Sequence, residues 1–120
     1  MDTYVKLATV IVKNMEESVK FYSDVMGLEI DGEYDLGSAG RITLMHGKGD
    51  AKVELIESSL YPVGFYSVGM YVDDMEEAMM KYKAKGAKIL KEPVPTQAGS
   101  CAFIEDPNGV RLAIVRSTSS

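Results

Sequence analysis

The sequence has little of several features that mark particular classes of protein. A single cysteine, Cys101, stands among 120 residues, so the chain can form neither an internal disulfide nor a zinc site built from cysteine pairs. No apolar run approaches the roughly 20 residues that a membrane-spanning helix needs. Residues 1–6 also lack the basic and apolar regions of a signal peptide. These absences predict a cytoplasmic protein that has no membrane partner.

Basic charge is scarce as well. The formal net charge is -5, and Lys and Arg form no cluster along the chain. Because binding to phosphates depends on clustered basic side chains, we expect no nucleic-acid partner. The length of 120 residues, with 46% apolar and 26% charged residues, is typical of a single globular domain.

The chain repeats itself once, at an offset of 60 residues. Residues 12–22 align with residues 72–82, and five of the eleven aligned pairs are identical. The identical pairs are Val12 with Val72, Met15 with Met75, Glu16 with Glu76, Glu17 with Glu77, and Tyr22 with Tyr82. Beyond the helices the register slips by one, but strands and glycines continue to match, which indicates an internal duplication.

Each half begins with a predicted strand, residues 6–12 or 66–72, and a helix follows directly. Asn14 and Asp74 are the expected N-cap residues, and Gly27 and Gly86 suit the left-handed position at which a helix ends. The helical faces predicted to pack are Met15, Val19, Tyr22 and Met26 in the first half, and Met75, Met79 and Tyr82 in the second.

A connecting strand and a strand pair follow each helix. The predicted turns are residues 47–50 in the first half and residues 106–109, Asp-Pro-Asn-Gly, in the second. Glu105 is expected to stabilise the second turn. One domain over residues 1–120 is therefore expected, with a first module at 1–58, a linker at 59–64 and a second module at 65–117.

Three segments resemble a known family. They are VKNMEESVKFYSDVMGLEI from residue 12, VDDMEEAMMKYKAKGAKI from residue 72, and AFIEDPNGVRLAIV from residue 102. Over nearly the whole chain they resemble the vicinal-oxygen-chelate superfamily, which includes glyoxalases, bleomycin-resistance proteins and extradiol dioxygenases. The resemblance implies an α+β fold in which two tandem βαβββ modules form a curved eight-stranded mixed sheet. It also implies helices on the convex side, a ligand cleft on the concave side and a homodimer.

The resemblance also bears on metal binding. Glyoxalase-like members hold a divalent metal with four residues, and those positions fall here on Leu7, Glu54, Ser67 and Ala113. Only Glu54 is a strong ligand, whereas a catalytic ion normally needs at least three imidazole or carboxylate donors. We therefore expect no cofactor, and an unusual divalent-metal site is the disfavoured alternative. His46 can offer a nitrogen, but it stands next to Gly47, where an exposed turn histidine is the commoner occurrence.

Strand alternation assigns the two faces of the sheet, because residues two apart share a side. The predicted core face is uniformly apolar: Ala8, Val10, Val12, Val53, Leu55, Val68, Met70, Val72, Leu112 and Ile114. The opposite face mixes apolar and polar groups, as the linings of small-molecule pockets do. Its candidate ligand-binding residues are Leu7, Thr9, Ser67, Tyr71, Phe103, Arg111 and Ala113.

Glu54 is the candidate catalytic residue on that mixed face. A carboxylate in a partly apolar cleft can act as a base or bind a cationic group. The alternatives are an ion pair with Arg111 or Lys52, or simple exposure on a strand. Tyr71 either offers its phenol to a ligand or packs, and Arg111 is either an anion clamp or an ordinary exposed strand arginine.

Two functions remain open at this point. The first is a binding protein of the bleomycin-resistance type, which holds a small organic molecule in a concave dimer cleft without metal. The second is a lyase or isomerase related to lactoylglutathione lyase, with Glu54 as general base. The absence of three metal ligands and the acidic net charge favour the first.

Overall fold

The computed structural model describes residues 3–96 and 99–117. The strands are β1 (Thr3–Val12), β2 (Glu29–Asp35), β3 (Arg41–His46), β4 (Lys52–Glu57), β5 (Gly64–Val72), β6 (Lys88–Thr96), β7 (Gly99–Glu105) and β8 (Arg111–Ser117). The helices are α1 (Met15–Lys20), which continues as a π-helical turn over Phe21–Val25, a short 3₁₀ turn at Gly37–Ala39, and α2 (Met75–Ala84). No helix in these described ranges has the length and apolar character to cross a membrane.

The first βαβββ module lies in a compact unit of residues 7–66. Its strand order is β2-β3-β4-β1, in which β1 and β4 are parallel and the other neighbours are antiparallel. Apolar side chains from the sheet pack against α1 on one side. This core contains Val12, Met15, Met45 and Leu55, with Val10, Val19, Tyr22, Leu28 and Val53 packed against it.

The second module lies in a unit that joins the described residues from 67 to 117 to residues 3–6. Its strand order, β5-β8-β7-β6, repeats that of the first module, with β5 and β8 parallel. Its core contains Val72, Met75, Ala78, Met79, Ala102, Ile104 and Ile114, and Met70, Tyr82, Ala87, Ile89 and Leu112 pack against it. The predicted α+β class, with two βαβββ modules and eight strands of mixed direction, is confirmed.

The predicted core face is also confirmed in each module, because four of its ten residues belong to the two cores and four more pack against them. Ala8 and Val68 are half-buried outside these clusters. Two strands begin earlier than the sequence indicated. β1 starts at Thr3, and β5 starts at Gly64, inside the expected linker.

The helix signals of the sequence act as expected. The Asn14 side chain accepts a hydrogen bond from the Glu17 N–H at 2.9 Å, and the Asp74 side chain accepts one from the Glu77 N–H at 3.0 Å. Gly27 and Gly86 follow the helices at φ +76° and +87°, where a side chain would be strained.

Met26 does not lie on the packed face of the first helix, contrary to the prediction. From Phe21 onward the helix makes a π-turn, in which the Met26 N–H donates to the Phe21 carbonyl at 3.3 Å. A π-turn takes more residues than an α-turn, so residue 26 is rotated away from the face that carries Met15 and Val19. Met26 is 57% exposed as a result.

The turn at residues 106–109 is confirmed, but Glu105 does not stabilise it. The Gly109 N–H donates to the Asp106 carbonyl, and the Asp106 carboxylate accepts from the N–H groups of Asn108 and Val110, both at 2.8 Å. The Glu105 carboxylate instead pairs with Lys88 at 2.9 Å. Asp106 organises its own turn because its short side chain reaches the backbone two residues on.

Candidate functional site

Glu54 lies in the middle of β4, and its neighbours Val53 and Leu55 belong to the first-module core. Its own side chain therefore points to the other side of the sheet. We call this side of the first module the Glu54 face. Register places the following residues on it: Leu7, Thr9 and Ile11 from β1, Ile42, Leu44 and His46 from β3, and Lys52, Glu54 and Ile56 from β4.

Glu54 has a specific partner on this face. Thr9 is its neighbour across the parallel β1–β4 pair, and the Thr9 hydroxyl donates to Glu54 Oε1 at 2.7 Å. Burial raises the pKa of the Glu54 carboxyl above its ordinary value, while the hydrogen bond from Thr9 opposes this by stabilising the charged form. A carboxyl held in this way is suited to accept or deliver a proton, or to bind a polar group of a ligand.

Lys52 does not pair with Glu54, which was one alternative from the sequence. Lys52 Nζ lies 2.6 Å from Asp31 Oδ2, and this hydrogen bond lowers the pKa of Asp31. His46 is the cross-strand neighbour of Lys52, and its Nε2 lies 4.0 Å from Asp31 Oδ1. The structure thus adds an Asp31–Lys52 ion pair, with His46 beside it, to the Glu54 face.

Sequence reasoning missed Asp31 because it assigned faces only to the first and last strands of each module, and β2 is neither of these. The β2–β3 register skips from Ile30 to Gly32, so Asp31 is the extra residue of a β-bulge. A glycine inside a strand often marks a bulge, and Gly32 was the signal in the sequence.

The candidate residues of the second module also share one face. Ala113 is the cross-strand neighbour of both Gly69 on β5 and Phe103 on β7, and Arg111 is the neighbour of Glu105. Ser67 and Ala113 are only 2% and 8% exposed. The residues that alternation brings to this face are Ser67, Tyr71, Phe103, Arg111 and Ala113.

The four family metal positions are equivalent in the two modules. In the first module Glu54 pairs with Thr9, which is two residues after Leu7. In the second module Ala113 pairs with Gly69, which is two residues after Ser67. This donor set does not fit a divalent ion, because leucine and alanine offer no ligand atom and serine is a weak one. Within residues 3–96 and 99–117, no group of three or more His, Cys, Asp or Glu side chains is arranged to hold a metal.

One cavity in each module lies away from Glu54. A cavity of about 520 Å³ lies beside α1 in the first module, where Met15, Val19 and Thr43 line it. Another, of about 790 Å³, lies near Tyr82, Ile104 and Pro107 in the second. Neither is lined by Glu54, so the chemistry and geometry of the Glu54 face, and not an enclosed volume, single out this site.

Comparison with known sequences gives a consistent result. A model of the Glyoxalase/Bleomycin resistance protein/Dioxygenase superfamily matches residues 4–114. A Synechocystis protein named "Probable lactoylglutathione lyase" is 28% identical, over 90% of this chain and 91% of that protein. Lactoylglutathione lyase of Neisseria meningitidis serogroup A is 29% identical, over 90% of this chain and 86% of that enzyme.

Solved structures share the same architecture. A hypothetical protein from Bacillus halodurans C-125 superimposes with a TM-score of 0.87 at 21% identity, over 100% of this chain and 98% of that one. Methylmalonyl-CoA epimerase from Mycobacterium tuberculosis gives 0.81 at 16% identity, over 95% and 87%. At such identities the likeness shows the fold alone.

Proposed function

Because the chain belongs to the glyoxalase/bleomycin resistance protein/dioxygenase superfamily, we propose that it binds a small organic molecule on the Glu54 face without a metal ion. The observation that carries this proposal is Glu54 itself. Its carboxyl has a raised pKa, holds a hydrogen bond from Thr9, and lies among the apolar side chains of Leu44 and Ile56. A few polar groups set in an apolar lining are typical of small-molecule sites.

Binding is tested by screening wild-type protein and Glu54→Gln against one set of compounds. The set contains S-lactoylglutathione and a fragment panel of small carboxylic acids, aldehydes, phenols, amides and amines. We expect binders whose affinity falls about tenfold or more in the variant, since hydrogen bonds to charged groups contribute roughly 1.5–3 kcal/mol. Glu33→Gln is the matched control, because Glu33 pairs across the strands with Thr43 on the helix side. Equal affinity in all three proteins would contradict the proposal.

A second function, a lyase or isomerase with Glu54 as general base, has its own support. Burial raises the pKa of Glu54 toward neutral pH. A general base is most effective when its pKa lies near the pH at which the enzyme works. The curated relatives named lactoylglutathione lyase cover nearly the whole chain. An assay for lactoylglutathione lyase activity, run with and without a chelator, separates this function from binding alone.

The expected ligand contacts stay predictions in both modules, as does the cytoplasmic location. These contacts are Leu7 and Thr9 in the first module, and Ser67, Tyr71, Phe103, Arg111 and Ala113 in the second. Glu54→Gln and Thr9→Val probe the first module, whereas Arg111→Gln and Tyr71→Phe probe the second in the same binding assay. Arg111→Gln should selectively weaken the binding of anionic compounds, because a guanidinium pairs with carboxylates through two parallel hydrogen bonds.

We also propose a homodimer whose second copy closes the ligand cleft. Several large apolar side chains are exposed in the single chain, including Phe21 at 50%, Val63 at 65% and Phe65 at 59%. Such surface often marks a protein interface. Light scattering should give twice the chain mass of 13.1 kDa. A mass equal to one chain at every concentration would contradict the dimer.

A further inference from the structure

A β-bulge decides which residues of β2 lie on the Glu54 face. Pairing with β3 runs regularly from Glu29 to Ile30, skips Asp31, and resumes with Gly32 opposite Leu44. In an unbroken register Tyr34 would stand opposite Arg41, on the helix side. The extra residue moves Tyr34 opposite Ile42, which lies on the Glu54 face.

Gly32 makes room for the Tyr34 ring. A Cβ atom at residue 32 would lie 3.1 Å from Tyr34 Oη and 3.3 Å from its Cε2, so the ring fills the space that another side chain would take. The backbone at Gly32 is not in the left-handed region, so its conformation does not require glycine. The phenol hydroxyl is thereby held above Gly32, and the tyrosine remains 48% exposed.

Gly32 and Glu54 occupy one row of the sheet. Gly32 is the neighbour of Leu44, Leu44 is the neighbour of Glu54, and Glu54 is the neighbour of Thr9. Adjacent strands are about 4.8 Å apart, which separates the Gly32 and Glu54 backbones by about 10 Å. A phenol therefore stands at the β2 end of the row and a carboxyl stands two strands away, with the half-buried Leu44 between them.

We infer that Tyr34 determines ligand specificity by hydrogen bonding, through its hydroxyl, the end of the ligand that lies farthest from Glu54. The ligand class that fits this row is a small molecule with a short apolar middle and an oxygen or nitrogen group at each end. This inference rests on the proposed binding at Glu54 and extends it across the face. A purely structural tyrosine would need its ring over Gly32 but not its hydroxyl.

Tyr34→Phe separates these two roles because it keeps the ring and removes the hydroxyl. For the compounds of the fragment panel and S-lactoylglutathione that bind through Glu54, we expect about a two- to tenfold loss of affinity, the value of one net hydrogen bond. The melting temperature of the free protein should not change. Gly32→Ala should lower the affinity for the same compounds, because the new methyl group displaces the Tyr34 hydroxyl. Tyr61→Phe is the control, since Tyr61 is also exposed but packs against Tyr66.

Analogues of each binder that lack the far polar group supply the second arm. They should bind wild-type protein and Tyr34→Phe equally well, because the hydrogen bond is missing in both cases. Compounds that lose affinity in Glu54→Gln but bind Tyr34→Phe as tightly as wild type would overturn this inference and leave the proposed function standing. If no compound depends on Glu54, the proposed function itself fails and this inference fails with it.

Discussion

Leu55→Ala should lower the free energy of unfolding by about 2–5 kcal/mol, which is the usual cost of emptying a packed leucine site. Leu55 is fully buried in the first-module core, to which Met45 and the α1 side chain of Met15 also belong. Such a loss is a large fraction of the roughly 5–15 kcal/mol by which domains are stable.

Urea unfolding measures this change directly, because the midpoint moves while the slope stays constant. Leu60→Ala is the matched control, since Leu60 is 64% exposed and its truncation should cost less than about 0.5 kcal/mol. Similar losses in both variants would show that β4 does not face the core through Leu55, and the assignment of Glu54 to the opposite face would fall with it.

If the chain has lyase or isomerase activity, Glu54→Gln should lower kcat/KM by about 10²–10⁴-fold, the usual contribution of a general base. Glutamine keeps the shape of the side chain but cannot accept the proton. Thr9→Val removes the hydrogen bond to Glu54 but keeps the carboxylate, so it should retain more activity than Glu54→Gln. Glu54→Gln with full activity would exclude Glu54 as the base.

The pH dependence of kcat/KM tests the same role of Glu54. A base works in its deprotonated form, so kcat/KM should rise with pH through the pKa of Glu54. Burial raises that pKa, and the limb should therefore lie above 4.5, the ordinary value for this group. Thr9 lowers the pKa, so Thr9→Val should move the limb to still higher pH. A limb that moves to lower pH would contradict this account of Glu54.

Much of the fold could be predicted because its signals are local. The caps Asn14 and Asp74 act within one helical turn, and the period-two pattern around Val53 and Leu55 assigns the faces without knowledge of neighbouring strands. The duplication then carried each assignment into the second module. The α+β class follows from these signals together with the family resemblance.

Two features that the sequence did not predict arise where one residue changes the local period. The π-turn at Phe21–Val25 rotates Met26 off the packed face, and the bulge at Asp31 transfers Tyr34 to the Glu54 face. Neither change follows from hydrophobic pattern, because both depend on how the backbone bonds within a turn or to the next strand. Glu54 was identified from the family resemblance together with strand alternation, whereas its hydrogen bond to Thr9 required the register of β1 on β4.

Metal-free binding through Glu54 is the central claim, and calorimetric titration after exhaustive chelation tests it most directly. The titrant is a compound that the screen shows to depend on Glu54, and elemental analysis of the same sample reports its metal content. We expect one binding site per chain with unchanged affinity after chelation, loss of about tenfold or more in Glu54→Gln, and no stoichiometric metal. Binding that disappears on chelation and returns with one equivalent of a divalent ion per chain would contradict the claim.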